Sequence, residues 1–116
     1  VLSGMALFLG SCYYDTYPEE AEIPDEVSYS EDIQPIWTSS CVSTCHPPAP
    51  PDLREGLSYD ALINGSYVVK GDARNSVLYK SLLGLDGVSQ MPPDAQLSTN
   101  SIKLVEKWIN DGAENN

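Results

Sequence analysis

Apolar residues recur most regularly near the end of the chain, where Ile102, Val105 and Ile109 fall on one helical stripe. Ser98 stands where an N-cap belongs, Leu97 and Ile102 are placed as a hydrophobic staple, and Gly112 supplies a stop. A second pattern begins earlier. Ser30 is positioned to cap a segment running to about residue 39, with Glu31 and Asp32 at its positive end and Ile33, Ile36 and Trp37 on an apolar face. Pro35 removes one hydrogen bond from that helix, so it should be short or bent.

Between these ends the pattern predicts two short helices. One covers residues 59–63, with Ser58 as cap and Asn64-Gly65 as its stop. The other opens at Asn75 or Ser76 and runs to Leu83, with Val77, Leu78, Leu82 and Leu83 at core spacing and Gly84 as its exit. Pro47, Pro48, Pro50 and Pro51 enforce an extended loop, Gly71-Asp72 a turn, and no strand-like alternation extends beyond residues 67–69. The fold class is therefore mainly α with long loops.

Charge divides the chain unevenly. The net charge is −11, and eight acids without a base lie between Asp15 and Asp32. With its prolines and aromatics, the stretch 12–29 reads as a solvated acidic tether ahead of a domain at 30–116. Nothing here would neutralise phosphate, which argues against nucleic acid as a partner. Residues 1–11 are uncharged and apolar but shorter than the roughly 20 residues a bilayer span needs, which fits the apolar part of an export signal. Leu9-Gly10-Ser11-Cys12 resembles a bacterial lipoprotein signal, which implies cleavage before Cys12, lipidation of its thiol and anchorage at the periplasmic face of a membrane.

The chemistry is concentrated in Cys41-Val42-Ser43-Thr44-Cys45-His46, which holds two of the three cysteines and the sole histidine. In C-x-x-C-H the two thiols add to the vinyl groups of a haem and the histidine ligates its iron. One more residue separates the cysteines here, but positions three and four apart lie on one face of a helical turn, so either spacing can present both sulfurs to one porphyrin edge. Two cysteines for haem c and Cys12 for lipid use every thiol. With one histidine, bis-histidine ligation within the chain is excluded. Met5 lies in the export segment, which leaves Met91, stiffened by Pro92 and Pro93, as the sixth ligand. Thioether ligation opposite histidine suits electron transfer.

With Asp32-Ile33-Gln34-Pro35-Ile36, Val69-Lys70-Gly71-Asp72, Asn75-Ser76-Val77-Leu78-Tyr79, Met91-Pro92-Pro93 and Trp108-Ile109 added, residues 29–113 resemble a class I c-type cytochrome domain. The resemblance implies a small fold in which the first and last helices cross and loops cover the haem. It implies ligation by His46 and Met91, Trp108 packed near the haem or a propionate, and Ser76 or Arg74 close to propionate charge. The function implied is electron carriage rather than enzymatic catalysis, either as a tethered shuttle or as a subunit of a membrane-bound respiratory complex, with redox proteins as partners. The alternative is copper binding or delivery through Cys41, Cys45 and His46, since C-x-x-x-C also occurs in copper sites. It lacks a second histidine and the strands of copper-delivery folds. An open-iron haem enzyme or gas sensor would need a distal acid or base, and a zinc site would need a fourth ligand.

Overall fold

The computed structural model describes residues 23–42, 45, 46, 48–93 and 95–116. Cys12, the export segment and most of the acidic tether lie outside them.

The first helix starts earlier than its cap residue suggested. Ser28, not Ser30, is the N-cap, and its hydroxyl accepts from Glu31 N–H (3.1 Å). The first turn, Tyr29–Ile33, is π-wound and passes directly into α1, Gln34–Ser40. Pro35 falls in the first turn of α1, where its missing N–H is tolerated. The expected bend is thus a change of winding ahead of the proline. The boundary expected at residue 30 also moves, because Val27 and Tyr29 are each only 5% exposed and belong to the core. Apolar side chains decide where the domain begins; the acidity around them stays on the surface.

The other helices are α2 (Ser58–Asn64), α3 (Val77–Leu83, preceded by a 3₁₀ turn at Ala73–Asn75) and α4 (Thr99–Asn110). Among the described residues there is no strand, and no helix is long and apolar enough to cross a membrane. Ser98 caps α4 as its sequence implies, accepting from Ser101 N–H (3.1 Å). Ser58 does not cap α2; it lies inside the helix, buried. Gly65 ends α2 for a reason that the sequence pattern concealed. Its φ is an ordinary −84°, and the left-handed residue is Ser66 at +63°. A Cβ on Gly65 would stand 2.5 Å from the Tyr67 ring and 2.8 Å from the Ala61 carbonyl, so the glycine allows Tyr67 to fold back over the helix end.

The N- and C-terminal helical regions meet. α4 packs against the π-wound turn, and Tyr29 stacks with Trp108 (centroids 5.0 Å apart) and meets Tyr59 edge-on (5.3 Å). The tail after α4 closes this side. Tyr59 Oη donates to the Ala113 carbonyl (2.7 Å), and Asn116 accepts Tyr29 N–H (2.9 Å) and donates to Val27 O (3.2 Å). The loop before α3 is pinned to the end of α4 by Gly71 N–H on Ile109 O (2.8 Å) and Ala73 N–H on Asn110 Oδ1 (2.9 Å). With one flank tied together in this way, the opposite side, between α1, α2 and α3, is left to the loops.

Candidate haem-binding cleft

On that opposite side lies a cleft of about 270 Å³, and Cys41, Cys45, His46 and Met91 all line it. Its size lies just below the roughly 300–1,000 Å³ common for small-molecule and cofactor sites. The walls are mostly apolar: Trp37, Leu53 and Leu62 from the buried core, Leu78 and Leu82 of α3, and Pro50, Pro92 and Pro93 from the loops all line the cleft.

The cysteine segment hangs from the end of α1, and its described residues, 41, 42, 45 and 46, lie in turns. Cys41 N–H and Val42 N–H both donate to Trp37 O (2.8 and 3.1 Å), and His46 N–H closes a wider turn on Cys41 O (3.0 Å). Cys41 and Cys45 each lie in a turn, and both line the cleft. Residues 43 and 44, between them, lie outside the described set. No disulfide joins the two cysteines. Cys41 is half-buried, and burial, followed by the neighbouring Cys45, pushes its thiol up to about 11; Cys45 is exposed.

His46 is held in one ring orientation. Its Nδ1 lies 2.8 Å from Ala49 O and 3.0 Å from Pro51 O. Both partners are carbonyls, which only accept, so Nδ1 carries a proton, and in the neutral imidazole the lone pair is therefore on Nε2. A metal-ligating imidazole is typically prepared in this way.

Met91 reaches the cleft from a loop docked on the end of α3. That helix stops in a left-handed residue, Gly84 at φ +66°, while Leu85 N–H turns back to Lys80 O (2.9 Å). Ser81 O is one of the last carbonyls of the helix, which lack intrahelical donors, and it accepts Met91 N–H (2.8 Å). The Met91 side chain is 42% exposed.

The structure thus brings together Cys41, Cys45, His46 and Met91, but not Trp108. That residue is 1% exposed on the far side of the core, donating from Nε1 to Glu114 O (2.8 Å) and packed on Tyr29. The tryptophan that lines the cleft is Trp37, one helical turn before Cys41, and that i, i+4 relation is the signal by which it is found in the sequence. Ser76 and Arg74 are also elsewhere. Ser76 is buried, donating to Asp72 O (2.9 Å) and accepting Val69 N–H (2.8 Å), whereas Arg74 pairs with Asp86 (2.9 Å) at the surface. Among the described residues no group of three or more His, Cys, Asp or Glu side chains is arranged to hold a metal ion.

The donors fit a haem in kind: two thiols, an imidazole with an available Nε2 and a thioether converge on one apolar cleft. Compared with protein-family models, with curated proteins and with solved structures, the chain matches none.

Proposed function

We propose that residues 27–116 form a monohaem c-type cytochrome domain that carries single electrons. Cys41 and Cys45 would hold the haem through thioether bonds, and His46 Nε2 and Met91 Sδ would ligate its iron. When bound, the haem supplies reversible one-electron chemistry at its iron. The observation that carries the reading is that Met91, distant in sequence, lines the same apolar cleft as Cys41, Cys45 and His46.

The chain's own residues do the tuning. The Ala49 and Pro51 carbonyls fix the protonated nitrogen of His46 and raise its basicity as a ligand. Trp37, Leu62, Leu78 and Leu82 exclude water from the interior. Cys45 and Met91, both exposed, stand where a redox partner would approach. The export-like segment and Cys12 extend the proposal to a lipid-anchored protein at the periplasmic face of a bacterial membrane, shuttling between redox proteins or serving within a membrane-bound respiratory complex.

The test is a reduced-minus-oxidised visible spectrum of the exported chain together with its intact mass. A sharp low-spin haem spectrum, a mass increase of one haem and thiols at Cys41 and Cys45 that resist alkylation are expected. A colourless chain in which both thiols alkylate would sink the proposal. Acyl mass on Cys12 separately tests the anchor.

A further inference from the structure

Behind the cleft wall runs a buried chain of hydrogen bonds whose direction is set at both ends. The Trp37 indole can only donate, and its Nε1–H goes to Tyr29 Oη (2.9 Å). The Leu53 carbonyl can only accept, and it takes Gln34 Nε2–H (3.0 Å). Gln34 therefore turns Oε1 the other way, where it accepts from the Ser58 hydroxyl. With its one proton already committed to Gln34, Ser58 must accept from Tyr29 Oη (2.5 Å). Every link is satisfied, and Gln34 is only 5% exposed. Both ends, Trp37 and Leu53, line the cleft, and Leu53 lies two residues beyond the Pro51 carbonyl that orients His46.

We propose that Gln34 is a positioning residue for His46, acting through the 51–53 backbone. Its effect on redox behaviour rests on His46 being the iron ligand; its effect on the imidazole does not. Without the Gln34 amide, the Leu53 carbonyl would be buried without a donor, a state costly enough that the loop would move to reach water. The Pro51 carbonyl would move with it. Gln34 also donates to Thr38 Oγ1 (3.2 Å), a bond that leads away from the loop and supplies the control.

The experiment compares the full chain with Gln34→Leu and Thr38→Val. In the reduced, haem-loaded protein, solvent exchange of the His46 Nδ1 proton is expected to quicken by about tenfold or more in Gln34→Leu, and the reduction potential to rise, because a less firmly hydrogen-bonded imidazole is a poorer donor to iron. Thr38→Val should match wild type in both. A folded Gln34→Leu chain with wild-type exchange and potential overturns the proposal. Should that variant not fold, a scalar coupling across the Gln34 Nε2–H···O=C Leu53 bond in wild type decides, and its absence overturns the proposal. If the purified chain carries no haem, the cytochrome reading fails by itself. The ¹⁵N shifts of His46 at pH about 8 then judge Gln34, with the Nδ1–H tautomer expected to dominate in wild type and to fall about fivefold or more in Gln34→Leu.

Discussion

The two thiols of the cleft differ in environment, and the difference is measurable. Alkylation proceeds through the thiolate, which burial suppresses at Cys41, and Cys45 is the more accessible of the two. In the haem-free chain, iodoacetamide at pH about 8 should label Cys45 at least about tenfold faster than Cys41, as read by peptide mass spectrometry. The same shift bears on stability. The Cys41 thiol is raised from its ordinary 9.0 to about 11, so the folded state holds the proton more tightly than the unfolded one. Its contribution is complete below pH 9 and is lost as pH rises through 11, and the buried Tyr29 phenol, also raised, acts in the same direction. Denaturant midpoints of the haem-free chain should therefore fall on going from pH 9 to 11. Met91→Ala removes the proposed thioether ligand; the haem-loaded variant should show a lower reduction potential and bind carbon monoxide, whereas ready binding by wild type would remove Met91 from the ligand set.

At the scale of elements, helix ends do more than terminate helices. The end of α1 supplies Trp37 O, on which the cysteine turn hangs, and the end of α3 supplies Ser81 O, on which the methionine loop docks. Gly84 makes the second arrangement possible. A Cβ there would meet Gln90 Cβ at an unstrained 3.5 Å, so the cost of Gly84→Ala lies in the backbone at φ +66°. A loss of about 1 kcal/mol is expected, or about 4–8 °C in Tm by calorimetry. The ends of α3 and α4 were legible from Gly84 and Ser98, because capping is local chemistry. The π-wound turn and the role of Gly65 were not: one depends on Tyr29 being drawn into the core, the other on a ring that folds back from Tyr67.

On the scale of the whole molecule, one flank is clasped by the tail and the other is built from loops. The clasped flank joins residues 27–30 to the tail through Asn116, which serves Tyr29 N–H and Val27 O. Asn116→Ala leaves both groups to find water in a partly buried place, and a loss of about 1–2 kcal/mol is expected from denaturant unfolding, with the cleft unchanged. If the loss were negligible, the tail would be an ornament rather than a clasp. The other flank is where loops converge, and the proposed cofactor would fill the volume that the helices leave between them.

The sequence by itself determined the donor atoms, the mainly helical class, the approximate ends of its helices and the uneven placement of charge, since each follows from residue chemistry over one or two turns. Tertiary structure alone decided which tryptophan faces the cleft. Trp37 and Trp108 are both 1% exposed and both sit at core positions of a helix. Periodicity says that such a face is buried, but not against what. The tautomer of His46 and the run of hydrogen bonds from Trp37 to Leu53 were settled at the same level, because they depend on carbonyls and hydroxyls brought together from separate parts of the chain.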